Sequence, residues 1–432
     1  MQVVVIGAGV AGLAAAQLLS AARVNVQILE ARSRIGGRLY TASDPVLRVP
    51  VELGAEFVHG RPQEIFDLAK TAGLSVKQVS GQHATVEKGK RVRHEDLWPQ
   101  VDEIFARMAS PTLPEQTFSE FLEKTRASSE AKALAKNYVE GFNAADAGLI
   151  SIHALAEEQR ASEAIEGDRS FRIREGYSKL AEQLWQKSSS EGACLELESA
   201  ARVLRWQKGT VEVLLGGLRS VKANCAVITV PLGVLKASGN TGLRFEPELP
   251  QVRAAIDRLE MGAAMRVSLV FDVLFERGHR QLPGFIHSRD ADFPTWWTSL
   301  PAPARLLTGW CGGPKAEKLV GLSEELLAER AAGSLAQIFG ETSECLARRV
   351  KRAYVHNWST DPFSLGAYSY ARVGGAEARR ILAAPIEDTL YFAGEATHTA
   401  GRSATVDGAI STGRRAAQAI LGRRETFSES RG

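Results

Sequence analysis

Apolar, mostly β-branched residues from Val3 to Ile6 give way to a glycine-punctuated stretch, Gly7 to Gly12. Small apolar residues at helical spacing follow, then a second apolar run that ends at Glu30. The pattern predicts a strand, a tight turn, a helix and a second strand. From Val51 to Gly60 apolar residues alternate with small ones before a turn. Between Pro62 and about Leu184 the spacing turns helical, with Ile65, Leu68 and Ala69, then Phe118, Phe121 and Leu122, three and four apart. Strand patterns return at Ala201 to Trp206, Val211 to Leu215, Cys225 to Val230, Leu259 to Phe271 and Val350 to Val355. Ser323 to Phe339 reads as helical. Leu390 opens a buried strand that ends in a glycine turn, and a small-residue helix runs from Thr405 to Leu421. No internal repeat or low-complexity linker interrupts the series.

The first turn carries chemistry. Gly7 would make the tight turn, Gly9 would let backbone approach a pyrophosphate, and Gly12 would let the helix lie close on its strand. The helix N-terminus, with Ala11 in its first turn, presents free N–H groups to phosphate, and Glu30 can accept hydrogen bonds from ribose hydroxyls. A dinucleotide with an unphosphorylated adenosine ribose fits best. A bare glycine turn is the competing account, but it leaves the flanking strand, the helix and the acid unexplained. Beyond the acid, Ala31 and Arg32 lead to Gly36, Gly37 and Arg38, a second backbone loop whose arginine would pair with the same pyrophosphate.

With these residues the chain resembles the flavin-containing amine oxidases, the monoamine and polyamine oxidase superfamily. The likeness spans nearly the whole chain, with specific motifs at both ends and looser agreement in the helical middle. It implies an α/β fold: a Rossmann-like FAD-binding domain of the GR2 type, interleaved with an α+β substrate-binding domain. Residues 1–78, 190–250 and 360–424 would form the first, 79–189 and 251–359 the second, and 425–432 a polar tail. The family's motifs put further cofactor contacts on Gly54, Ala55, Glu56 and Phe57 beside the isoalloxazine, and on Val203, whose backbone would read the adenine edge. They also implicate Trp358 and, from the C-terminal motif, Gly394, Glu395, Thr405 and Val406.

Several positions depart from the family's pattern. Arg266 stands where most members have a lysine that holds a water near flavin N5, and an arginine offers a planar, permanently charged fork instead. A shift of one residue would leave Met265 there. Ala367 occupies the position at which some members attach FAD through cysteine, so the flavin is expected to be non-covalent. Tyr368 matches one wall of an aromatic cage, able to hold an amine by cation–π attraction of about 1 to 2 kcal/mol. The opposite wall falls on Thr405, so the cage is half open. His59 matches a histidine of the polyamine oxidases and is a candidate substrate contact. Glu140 and Asp146 are acids available to a distal amine or to helix capping. Trp296 or Trp297 would line an apolar tunnel or pack in the core.

Composition narrows the partners. A net charge of +3 over 432 residues leaves no basic tract for nucleic acid. No apolar run approaches membrane-spanning length, and the first strand begins almost at Met1 with no room for a targeting segment. Cys194, Cys225, Cys311 and Cys345 show no metal spacing and read as buried thiols of a cytoplasmic protein. No metal is expected, and oligomeric state is not legible. The resemblance implies oxidation of an amine C–N bond, with hydride passing to N5, an imine released to water, and dioxygen returned as hydrogen peroxide. Two alternatives stay open: a flavin-dependent desaturase or dehydrogenase of an apolar non-amine substrate, and a non-catalytic flavoprotein scaffold.

Overall fold

A computed structural model describes residues 1–79, 82–92, 98–110, 112–217, 219–275, 283–429. At its centre lies a parallel five-stranded sheet in the order Cys194–Glu196, Asn25–Leu29, Gln2–Ile6, Cys225–Ile228, Leu390–Phe392. Strands buried on both faces need apolar side chains throughout, and Val3 to Ile6 and Cys225 to Ile228 supply them. On one face pack the helices Val10–Ala21, Lys179–Ser190 and Val406–Glu429. A four-stranded mixed sheet that includes Ala201–Gln207 and Thr210–Leu215 covers the other.

The first and last helices are held together by missing side chains. A Cβ on Gly413 would come within 2.0 Å of the Ala11 carbonyl oxygen, and one on Gly12 within 2.0 Å of that of Gly7. Backbones at this separation tolerate glycine alone.

A seven-stranded sheet forms the second body, in the order Val350–Val355, Ala264–Phe271, Leu306–Gly312, Thr295–Thr298, Phe285–His287, His83–Glu87, Lys90–Val92. Met265, Val267, Leu269 and Phe271 face the helix Glu324–Phe339, in one apolar cluster with Leu327, Ala331 and Leu335. Alternation sends Arg266 to the opposite side. Helices Phe118–Lys124, Ser129–Phe142 and Ile152–Glu163 make a further layer.

The helical pattern expected from Pro62 to Leu184 is interrupted. Val76–Gln78 and Ser170–Ile173 pair with each other, Val58–His59 joins them, and His83–Glu87 enters the seven-stranded sheet. These short strands are fixed by distant partners rather than by local spacing. The last helix continues past Leu421 to Glu429, so most of the expected tail is helical backbone, and 430–432 lie outside the described residues. All four cysteines are free: Cys225 and Cys311 are buried, whereas Cys194 and Cys345 are exposed.

Candidate active site

Two glycine loops meet over the first helix. Gly9 caps it, with nothing within 4 Å of where a Cβ would stand, so the N-terminal N–H groups open on free space. Gly36 donates to the Ala8 carbonyl at 2.8 Å, and a Cβ on Gly37 would lie 3.3 Å from the Gly9 Cα. Gly394, with a φ of 122°, faces open space as well. The result is a slot walled by glycine backbone, which a side chain would fill; the N–H groups of Gly36 and Gly394 are bonded to the Ala8 carbonyl and Thr412 Oγ1, so the donors left to it are those of the helix N-terminus. That is the cradle a diphosphate requires.

Polar groups around the slot are strongly constrained. Glu30 accepts from the N–H groups of Ala8 at 2.7 Å and Arg32 at 2.9 Å, one on each carboxylate oxygen. The Arg32 side chain is committed to Asp361 and Ser364, so of this candidate only the backbone touches the acid. Ala31 follows Glu30 directly. Arg34, which sequence reading passed over, donates from one nitrogen to the carbonyls of Gly37 at 2.9 Å, Ile35 at 3.2 Å and Leu39 at 3.3 Å, fixing the second loop. Arg38 Nη1 bonds Glu395 and the Ala367 carbonyl, both at 2.8 Å. Val203 is buried beside a register shift in its strand.

The wall from Gly54 to Phe57 is equally specific. A Cβ on Gly54 would meet the Arg38 carbonyl at 1.9 Å, Ala55 N–H donates to that carbonyl at 3.2 Å, and Trp358 donates to the Leu53 carbonyl at 2.8 Å. Glu56 is held by Arg266, by Arg172 at 2.6 Å and by Trp297 at 3.0 Å. Burial pushes its carboxyl up, but the charges of Arg172 and Arg266 outweigh that and hold it below the usual range. Arg266, not Met265, thus faces this wall. Trp297 lies on the same side with Phe57, their rings 5.4 Å apart, while Trp296 is fully buried in the helical core.

A cluster of aromatic rings adjoins this wall, Trp310 lying 6.3 Å from Trp297. Tyr368 stacks parallel to Trp310 at 6.5 Å and donates its hydroxyl to the Phe142 carbonyl at 2.6 Å. Phe142 and Tyr138 are 51% and 45% exposed, yet crowding pushes the Tyr138 phenol up. His59 meets Phe142 edge-on at 5.5 Å, and burial, aided by the Arg402 charge, lowers it to about 4. It is neutral at physiological pH.

The other acids divide the roles expected of them. Asp146 accepts from Gly148 N–H at 2.8 Å, a local turn, and Glu140 pairs with Lys136 at 3.7 Å. Glu158, unremarked in the sequence, accepts from Ser403 at 2.8 Å and Asn143 at 3.1 Å and pairs with the buried Arg379 at 3.6 Å, between the aromatic helix and the final turn. Thr405 donates to the Arg402 carbonyl and accepts from Gly408 N–H at 3.0 Å, capping the helix that begins at Val406. Its side chain is occupied in that cap.

Among the described residues no cluster of three metal-ligating side chains occurs, and no helix is long and apolar enough to cross a membrane.

Comparison with known proteins supplies the family and the fold. The family of flavin containing amine oxidoreductases matches residues 10–421. Lysine-specific histone demethylase 1 homolog 2 of Arabidopsis thaliana is 30% identical over 97% of this chain, which spans 58% of that protein. Polyamine oxidase 3 of Oryza sativa subsp. japonica is 30% identical over 96% of this chain and 88% of its own length. In fold, putrescine oxidase bound to putrescine superposes with a TM-score of 0.82 at 20% identity, covering 98% of this chain and 99% of that one. Cyclohexylamine oxidase from Brevibacterium oxydans gives 0.81 at 22%, with the same coverage. A family match over almost the full length, on a fold whose glycine-lined slot suits a dinucleotide, has one reading: the chain belongs to the flavin-containing amine oxidoreductases, a family of FAD-dependent oxidoreductases.

Proposed function

We propose that the protein oxidises the C–N bond of a small-molecule amine at a non-covalently held FAD, with dioxygen as acceptor and hydrogen peroxide as product. The observation that carries the proposal is the junction of the glycine slot with the aromatic cluster. Arg38 reaches the Ala367 carbonyl, and the next residue, Tyr368, belongs to that cluster. Bound FAD would supply the electron acceptor, which no side chain can be.

The chain's own residues bind and orient. The Gly9 and Gly394 backbones and the first helix N-terminus would take the diphosphate, Glu30 the adenosine ribose, and Val203 the adenine edge. Tyr368 and Trp310 would present aromatic faces to the amine, with a neutral His59 placing no competing charge beside them. Glu158 would receive a second amino group where the substrate has one. The capped helix from Thr405 would direct positive N–H dipoles at the ring. Relatives named for polyamines and fold neighbours named for putrescine and cyclohexylamine support an amine of that size.

In this reading 1–78, 190–250 and 360–424 serve the cofactor and 79–189 and 251–359 the substrate. Four free thiols suit a reducing compartment, and we place the enzyme in the cytoplasm. The second reading, an apolar non-amine substrate, draws on the aromatic walls and on Arg266. Anaerobic mixing of the FAD-loaded protein with mono-, di- and polyamines separates the two. Bleaching of the flavin by an amine, and peroxide once air is readmitted, is the expected result; a flavin left yellow by every amine removes the proposal.

A further inference from the structure

Arg266 is 6% exposed, and its guanidinium is almost fully engaged by protein. Nη1 donates to the Gly54 carbonyl at 2.8 Å and Nη2 to Glu56 Oε2. Nε alone is buried with no hydrogen-bond partner among the described residues. Glu56 is fixed in turn: Oε1 accepts from Arg172 Nε at 2.6 Å, and Oε2 also accepts from Trp297 Nε1 at 3.0 Å. The two remaining Arg172 nitrogens are anchored on the carbonyls of Leu300 and Thr298. Three strands thus converge on one carboxylate, and two guanidinium groups against it leave one positive charge in a buried place.

Burying such a triad is costly unless every donor is used or the surplus charge is wanted. Here the surplus lies on the wall from Gly54 to Glu56. We propose that Arg172 and Glu56 are positioning residues that hold Arg266 as a fixed cation with one donor, Nε, free for a ligand, and that the net positive charge of the triad, which Arg172 supplies against Glu56, raises the reduction potential of the bound flavin. A nearby positive charge favours the more electron-rich reduced ring. The inference rests on the proposed FAD site.

Arg172 sets the charge balance. Without it, Glu56 cancels Arg266, and the carboxylate loses one of the two cations that keep its proton off. The other ionisable group facing the triad is Glu52, whose carboxyl burial pushes up to about 7. Because the charges of Glu56 and Arg266 both bear on that carboxyl, the comparison of parent and variants is repeated in a Glu52→Gln background, where it carries no charge.

The test measures flavin midpoint potential in Arg172→Met, Arg172→Lys and Glu56→Gln, each relative to the parent, on either side of neutral pH. Arg172→Met is expected below the parent at alkaline pH, with the gap closing in acid as Glu56 takes up a proton. Arg172→Lys restores the charge and is expected close to the parent at both values. Glu56→Gln removes the negative charge and is expected above the parent throughout. Should Arg172→Met fail to hold FAD, the lysine and glutamine variants carry the test. Equal potentials in all FAD-bound forms, or identical behaviour of the methionine and lysine variants, overturns the triad. A parent chain that binds no FAD removes the site reading itself.

Discussion

Arg38 and Glu395, 357 positions apart, are joined by a hydrogen-bonded ion pair of 2.8 Å between Nη1 and Oε1. Glu395 also accepts from Ser369 Oγ at 2.6 Å and Ala404 N–H at 3.0 Å. One buried carboxylate therefore ties the N-terminal glycine loop to the strand after Ala367 and to the turn that opens the last helix. This contact spans the two halves of the slot.

That carboxyl is pushed up by burial but held below the usual range by the Arg38 charge and the hydrogen bonds it accepts. A depressed folded pKa stabilises the protein above the ordinary carboxylate value, and the contribution disappears as pH falls through the folded one. Glu395→Gln should therefore shed FAD on gel filtration and flatten the loss of thermal stability in acid. Full FAD retention with an unchanged acid profile would contradict the role.

Glu52 has the opposite sign. It is buried, accepts from Thr41 Oγ1 at 2.7 Å and Tyr177 N–H at 2.8 Å, and burial raises it to about 7. Between its ordinary value and about 7 the folded state alone keeps the proton, so stability falls as pH rises, by roughly 3 kcal/mol in all. Glu52→Gln should raise the melting temperature clearly in mild alkali and much less in mild acid. An equal gain at both would show that Glu52 does not titrate in that window.

Tyr368 separates wall from tether. Tyr368→Phe keeps the face parallel to Trp310 and loses only the bond to the Phe142 carbonyl, about 1 kcal/mol. Tyr368→Ala removes the face and should lower kcat/KM for a cationic amine on the order of tenfold. Steady-state kinetics of both variants check the split; equal losses would assign the effect to the hydroxyl.

Glu158 offers a handle on the amine itself. Ser403, Asn143 and, in an ion pair at 3.6 Å, the buried Arg379 hold it between the aromatic helix and the final turn, so a substrate amine would share the carboxylate with Arg379. Glu158→Gln should raise KM for a diamine by about tenfold, the worth of a charged hydrogen bond, and leave a monoamine nearly unaffected. A matched chain-length series decides, and equal effects on the two would remove Glu158 from recognition.

How much of this could be read from the chain follows from how local each signal is. The turn from Gly7 to Gly12, Glu30 and the flanking strands are encoded within one short stretch, and the structure adds how they meet, Glu30 on the Ala8 N–H and Gly36 on the Ala8 carbonyl. Arg172, Arg34 and Glu158 gave no local sign, because each acquires meaning from a partner on another element. Trp296 and Trp297 are alike in sequence. The strand's alternation alone sends one into the helical core and the other to Glu56. The strands Val76–Gln78 and His83–Glu87 were hidden inside a helical spacing, since strands this short are stabilised by their neighbours in the sheet. Arg266 stood out in sequence, but its grip on Gly54 and Glu56 did not.

Everything here depends on one FAD held without a covalent bond between segments that the sequence keeps far apart. The direct measurement is the visible spectrum of the purified chain, followed by that of the supernatant after acid precipitation. The account predicts a yellow protein that releases one FAD per chain into solution. A colourless protein that takes up no added FAD, or a flavin that stays with the precipitate, would contradict it.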